Sequence, residues 1–179
     1  MNHLSVILKS KNLQLRPITE SDTDMIVLWR NKEDVRKNFL YREVFTSKIH
    51  QTWLKEKVFT GKVVQFIIEI PSINGDFIPI GSVYLRDIDY DNSSAEFGIF
   101  IGDESAHSKG IGSESAKLIL NYGHTQLGLH RIFLRLIADN VAAYKAYRKA
   151  GFITEGIFRD MKKIDGKFID IMFMSSIVE

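Results

Sequence analysis

The sequence "SAHSKGIGSESA", residues 105–116, sets two glycines one residue apart in an otherwise polar segment. Apolar residues at helical spacing follow at Ala116, Ile119 and Leu120, so we expect a helix to begin directly after the glycines. The first N–H groups of a helix have no partner within it, and together with the helix dipole they attract anions. Gly110 and Gly112 carry no side chain, so a phosphate can approach the backbone closely. The stretch therefore predicts a pyrophosphate site.

Gly-x-Gly before a helix is a weak signal by itself, and a flexible loop leading into an ordinary helix is the alternative. The Gly-Lys-Ser/Thr order of a Walker loop is missing. A Rossmann fingerprint is excluded as well, because the third glycine is absent and the preceding strands have the pattern of hairpins.

The segments on either side indicate a mixed α/β chain. The predicted order is one strand, two helices, three strands, a helix, a strand, a helix and two strands. The second helix is expected over residues 47–60, with Thr46 as its cap, Ile49 and Trp53 on one face, and Gly61 after its end. Asn74-Gly75 is typical of a hairpin turn, so the middle strands should be antiparallel.

Length and composition limit the class of protein. The chain has 179 residues, and we expect residues 1–179 to form one domain. The absence of cysteine excludes disulfides, thiolate metal sites and a cysteine nucleophile, and it fits a cytoplasmic protein. The net charge is +2 and no long apolar run or basic block occurs. We therefore expect neither a membrane nor a nucleic acid as partner, but an anionic small ligand.

Four stretches resemble the GNAT superfamily of N-acetyltransferases: "EFGIFIGDESAHSKGIGSESAKLIL", "LGLHRIFLRLIADNVAAYKAYRKAGF", "EGIFRD" and "GKFIDIMFM". The resemblance covers roughly residues 13–177 and is greatest to the branch of ribosomal-protein N-terminal, spermidine and amino-sugar-nucleotide acetyltransferases. It implies a mostly antiparallel, twisted sheet that is splayed in the middle and flanked by about four helices.

The resemblance also implies which residues hold the co-substrate acetyl-CoA. The pyrophosphate motif of the family is Gln/Arg-x-x-Gly-x-Gly/Ala. It corresponds here to His107, Ser108, Lys109, Gly110, Ile111 and Gly112, and the next residue, Ser113, is expected to belong to the same site. His107 departs from the usual Gln/Arg, which puts side-chain help at that position in doubt. The strand ending at Phe100 and Ile101 would leave backbone groups free for the pantetheine arm. Asn140 would bind the pantetheine amides, cap its helix, or do both.

Two residues are candidates for proton transfer. The family places a tyrosine four residues before Gly-Phe, which selects Tyr147 over Tyr144 as donor to the departing thiolate. A packed core tyrosine is the alternative. Glu96 alternates with Gly98 and Phe100 along one strand face, so it is predicted either to take the amine proton, through water, or to form a salt bridge.

The acceptor region is the least determined part of the sequence. The family places the end of the first helix over the acceptor pocket, here Trp29, Arg30 and Asn31, and this triplet resembles amino-sugar-nucleotide acetyltransferases. Core packing of the tryptophan beside solvated charges is the alternative. The histidines lack metal-ligand spacing, so we expect no metal.

The functional prediction is an acetyl-CoA-dependent N-acetyltransferase in which a primary amine attacks the thioester directly in a ternary complex. A peptide amine (a protein N-terminus) or an amino-sugar nucleotide fits the Arg- and Lys-rich first helix better than a polyamine. A polyamine acetyltransferase and a non-catalytic acetyl-CoA sensor stay open, as does a homodimer.

Overall fold

The computed structural model describes residues 5–178, so both ends of the predicted domain, residues 1 and 179, lie outside the described residues. Within that range the strands are β1 (Leu8–Lys9), β2 (Gln14–Pro17), β3 (Val64–Pro71), β4 (Phe77–Asp89), β5 (Ser94–Ile101), β6 (Arg131–Ile137), β7 (Ile153–Ile164) and β8 (Lys167–Ile177). The α-helices are α1 (Thr23–Asn31), α2 (Glu33–Arg36), α3 (Ser47–Trp53), α4 (Ile111–Thr125) and α5 (Val141–Ala150).

All eight strands of the described chain form one sheet in the order β1-β2-β3-β4-β5-β6-β8-β7. Neighbouring strands are antiparallel except β5 and β6, which are parallel. That parallel pair is short, because only residues 94–96 of β5 match residues 131–133 of β6. From Phe97 onward the two strands separate. The predicted mixed fold, with a mostly antiparallel sheet splayed in its middle, is therefore confirmed.

The sheet separates two hydrophobic cores. Phe66 and Ile68 of β3 belong to the core under α4 and α5, while Ile67 belongs to the core under α1 and α3. Successive residues of a strand point to opposite faces, so the two cores lie on opposite sides of the sheet. The gap between β5 and β6 is consequently reached from both sides.

The region before β3 differs from the prediction of one strand and two helices, because the structure adds a two-residue strand, β1, and a four-residue helix, α2. The Ile49 N–H donates to Thr46 Oγ1 at 3.3 Å, so Thr46 caps α3 as predicted. The α-helix then continues as a π-helical turn over Leu54–Val58. Its buried side carries His50, Leu54 and Val58, whereas Ile49 is 47% exposed. Of the two residues predicted to share a face, Trp53 packs against the core under α1 and α3 while Ile49 lies toward solvent, because the inward positions recur every four residues from His50.

Candidate active site

A cavity of about 590 Å³ opens where β5 and β6 separate. Its walls come from the α1–α2 region, the middle of β4 and β5, the glycine loop, β6 and α5. Most of the residues that the sequence singled out line this cavity: Arg30, Glu96, Phe100, Ile101, His107, Ser108, Gly110, Ile111, Gly112, Ser113, Asn140 and Tyr147. Lys109, Trp29 and Asn31 do not line it.

The glycine loop turns into α4 at one end of the cavity. Gly110 precedes the helix with φ +80°, a left-handed conformation that glycine adopts without strain. No side chain caps this helix, and the Ser113 hydroxyl donates instead to Gly110 O at 2.8 Å. A Cβ built on Gly112 would meet no atom within 4 Å. The first N–H groups of α4 therefore face open space large enough for an anion.

His107, at the position where the family has Gln or Arg, contacts the neighbouring strand end. Its Nε2 lies 3.3 Å from the carbonyl oxygen of Ile101. The imidazole is exposed beside the loop. It therefore links the glycine loop to the end of β5.

The splayed half of β5 forms the long wall of the cavity. Its backbone pairs with β4 over its whole length, but among the described residues it has no partner on the β6 side after Glu96. The Phe100 ring packs edge-on against Trp29 and Phe39. The open edge thus offers backbone donors and acceptors to an extended ligand.

Asn140 stands at the start of α5 on the opposite wall. Its Oδ1 accepts from the Ala143 N–H at 3.0 Å, which makes it the helix cap. Its Nδ2 donates to Asn38 Oδ1 at 3.1 Å, across the cavity. The capping role predicted for Asn140 is confirmed, and its contact with the pantetheine amides stays a prediction.

Tyr147 lies farther along α5, with its ring packed edge-on against Phe97 and Phe152. Tyr147 lines the cavity, and no described residue forms a hydrogen bond with its hydroxyl. Burial raises the pKa of Tyr147 far above its usual value, and Tyr84 adds to that rise. The hydroxyl is therefore protonated at neutral pH and free to donate. Tyr144 packs against the core and does not line the cavity.

Glu96 is buried in the floor of the cavity between two arginines. Arg86 Nη2 and Arg135 Nη2 each donate to its Oε2 at 3.0 Å. Arg135 Nε also donates to Oε1 at 3.0 Å. Both carboxylate oxygens are thus occupied, and the contacts favour the salt-bridge alternative for Glu96 over proton transfer.

The triplet predicted to bind the acceptor divides in the structure. Trp29 is buried beneath Gly102, where any Cβ would overlap its indole ring. The Asn31 amide donates to Phe45 O at 2.7 Å and accepts from the Phe45 N–H at 2.9 Å, which anchors the loop before α3. These two residues have structural contacts, as the packing alternative proposed.

Arg30, between them, faces the cavity. Its guanidinium lies 3.7 Å from the ring centroid of Phe39 and 4.8 Å from that of Phe45. In the described part of the chain no carboxylate pairs with it, and its Nε is buried without a hydrogen bond. Burial lowers the pKa of Arg30, since the charge has lost water without gaining a counter-ion.

Several cavity residues carried no sequence signal that singled them out. Tyr84 and Arg86 alternate with buried residues on β4, and Arg135 does so on β6. Alternation alone places a side chain on a face of the sheet without showing which strand will lie beside it. Among residues 5–178, no group of acidic or histidine side chains has the arrangement of a metal site. The described helices also include none with the length and apolarity that crossing a membrane requires.

Comparison with known proteins agrees with this architecture. The family model described as "Acetyltransferase (GNAT) domain" matches residues 12–153. Spermidine N(1)-acetyltransferase from Vibrio cholerae is 36% identical over 167 residues, covering 92% of each chain. A crystal structure of spermidine N-acetyltransferase from Vibrio cholerae in complex with CoA and spermine superposes with a TM-score of 0.83 at 24% identity, covering 94% of this chain and 96% of that one.

A dodecameric structure of the same Vibrio cholerae enzyme superposes with a TM-score of 0.76 at 25% identity, covering 94% of this chain. The family match spans most of the chain, and it includes the glycine loop, the splayed strand and the catalytic tyrosine candidate. The chain therefore belongs to the GNAT family of N-acetyltransferases.

Proposed function

We propose that residues 1–179 form a single domain that transfers the acetyl group of acetyl-CoA to a primary amine in a ternary complex. The observation that carries this proposal is one cavity that joins the uncapped start of α4 to the open edge of β5. The first is suited to a pyrophosphate and the second to an extended chain of amides. A related enzyme fold that holds CoA supports the proposal.

The residues divide the chemistry among them. Backbone N–H groups of residues 110–113 would hold the phosphates, and the unpaired backbone of β5 would hold the pantetheine arm and polarise the thioester carbonyl. Most of the rate would come from holding amine and thioester together. The amine nitrogen forms the new C–N bond, the C–S bond breaks, and Tyr147 gives a proton to the thiolate. The amine proton leaves to water, because Glu96 is occupied, and the Tyr147 phenolate regains a proton from water.

The acceptor has two candidate classes. The spermidine activity of the 36% identical relative supports a polyamine. The unpaired guanidinium of Arg30 instead supports an amine that carries an anionic group, such as an amino-sugar nucleotide or a peptide. The Asp34 carboxylate lines the same cavity, and its buried Oδ2, which has no hydrogen-bond partner among the described residues, would suit a polyamine. Because a polycation would meet an uncompensated positive charge at Arg30, we assign the second class.

An amine panel tests both levels of the proposal. Release of free thiol from acetyl-CoA would be measured with N-terminal peptides, spermidine and amino-sugar nucleotides. If acetyl-CoA bound but no free thiol were released with any of these amines, the result would support an acetyl-CoA sensor and refute acetyl transfer. The variant Arg30→Met keeps the packing on the phenylalanines and removes the charge, so it should lower kcat/KM for anionic acceptors selectively. Higher activity on spermidine than on every anionic amine would refute the acceptor assignment.

Self-association forms a separate part of the proposal. The outermost strand β7 has a free edge and exposes Ile157 (52%) and Phe158 (55%), and the related enzyme from Vibrio cholerae has a dodecameric structure. We expect at least a homodimer, which sedimentation of the purified chain would test. The cytoplasmic location stays a prediction from the cysteine-free composition.

A further inference from the structure

Tyr84 occupies a position on β4 that its two neighbours determine. In the sheet register it lies opposite Gln65 of β3 on one side and Gly98 of β5 on the other. The side toward Gln65 is filled, because the Trp53 indole packs edge-on against the Tyr84 ring and donates to Gln65 Oε1 at 2.8 Å. Tyr84 can therefore lean only toward Gly98.

Gly98 leaves the room that the Tyr84 ring uses. A Cβ at this glycine would overlap the ring and lie 2.5 Å from the Tyr84 hydroxyl oxygen. The hydroxyl thus lies over the middle of β5, where that strand has already separated from β6. Both Tyr84 and Gly98 line the cavity, and no described residue forms a hydrogen bond with the Tyr84 hydroxyl.

Two tyrosine hydroxyls therefore approach the splay from opposite faces of the sheet. Tyr84 packs with the core under α1 and α3, and Tyr147 packs with the core under α4 and α5. They are close enough that Tyr84 contributes to the raised pKa of Tyr147. Arg30 lines the cavity on the same side as Tyr84, because its guanidinium lies over Phe39 and Phe45, which pack with the same core as Tyr84. The face of the splay toward α1, where the acceptor is expected to bind, thus has a polar atom of its own; this face is called the acceptor side below.

We infer that the Tyr84 hydroxyl accepts a hydrogen bond from the N–H of the acceptor amine and directs its lone pair at the thioester carbonyl. This inference rests on the proposed function. An attacking amine needs an acceptor for its N–H. The carboxylate of Glu96 is already held by Arg86 and Arg135. The Asp34 carboxylate, whose buried Oδ2 has no hydrogen-bond partner among the described residues, lines the cavity from α2, whereas the Tyr84 hydroxyl lies over Gly98 of the splayed strand. Tyr147 serves the sulfur on the other side of the same gap.

The variant Tyr84→Phe tests the inference while keeping the ring over Gly98. One hydrogen bond in the ternary complex corresponds to a loss of about tenfold in kcat/KM for the amine. Because the hydroxyl lies on the acceptor side, the Kd of acetyl-CoA should change less than twofold. Tyr90→Phe, at a 57% exposed position outside the cavity, is the matched control and should keep wild-type kinetics.

A double-mutant cycle with Gly98→Ala separates the hydroxyl from the packing. The added methyl group displaces the Tyr84 ring, so this variant alone should also lose about tenfold in kcat/KM for the amine. In the Tyr84→Phe background the same change should cost little more, since the hydroxyl that it displaces is already gone.

The inference is overturned if folded Tyr84→Phe retains wild-type kcat/KM, or if the two losses multiply in the double variant. A parallel fall in acetyl-CoA affinity and amine kinetics would also overturn it, because that would mean a packing role. Absence of thiol release by the wild type with every amine would refute the proposed function itself, and the inference with it.

Discussion

Replacing Tyr147 by Phe removes a single hydroxyl and leaves the contacts of the ring with Phe97 and Phe152 in place. No described residue hydrogen-bonds to that hydroxyl, so the free energy of unfolding should change by less than about 0.5 kcal/mol. If the hydroxyl protonates the leaving thiolate, kcat should fall by about 10²–10⁴-fold, the usual contribution of a general acid. Affinity for CoA should be nearly unchanged.

The pH dependence gives a second expectation for Tyr147. Burial raises its pKa from the ordinary value of 10.0, so the protonated, donating form persists through neutral and mildly alkaline pH. Acetyl transfer should therefore show no loss below pH 10 that is due to Tyr147. The single-turnover rate of thiol release, measured from pH 6 to pH 9.5, would show whether this holds.

The control is Tyr144→Phe, three residues earlier on the same helix but outside the cavity. This variant should keep turnover nearly intact. Wild-type single-turnover rates in a folded Tyr147→Phe enzyme would refute the proton-donor role and leave Tyr147 as a packed ring. A large loss of stability in that variant would contradict the statement that the hydroxyl has no protein partner.

Three further outcomes follow from the structure. Gly112→Asp should weaken CoA binding at least about tenfold, because it sets a negative charge beside the phosphates. Gly112→Asn is the neutral control, and calorimetry would measure both affinities. If the two variants bound CoA equally well, the pyrophosphate would have to lie elsewhere. Glu96→Gln should lower the free energy of unfolding by about 2 kcal/mol, because it weakens the ion pairs with Arg86 and Arg135. The same variant should change kcat by less than tenfold. A folded variant with kcat reduced more than 100-fold would instead establish Glu96 as the base. Burial lowers the pKa of His50 from 6.5 to about 4, so the unfolded state takes up the proton first as the pH falls. The free energy of unfolding should therefore fall by up to about 3 kcal/mol between pH 6.5 and pH 4. Chemical denaturation should show a weaker dependence of stability on pH in His50→Gln, and the same dependence in both proteins would contradict the assignment.

The residues near α1 show best which features neighbouring residues could predict and which depended on distant parts of the chain. Trp29, Arg30 and Asn31 are consecutive, and the sequence could assign them only as a group. A helix turns by 100° per residue, so the three side chains point in different directions, and only Arg30 reaches the cavity. The choice between a salt bridge and proton transfer at Glu96 likewise depended on Arg135, 39 residues away in the chain.

The sequence by itself determined the features that depend on neighbouring residues. These are the glycine loop that leads into α4, the cap at Thr46 and the order of strands and helices from β3 onward, because glycine turns, capping and periodicity are local properties. Tertiary structure alone decided which groups face one another across the splay. Tyr84 reaches the cavity because Gly98 lies opposite it in the register of two strands, and register depends on the packing of the whole sheet rather than on any short stretch of residues.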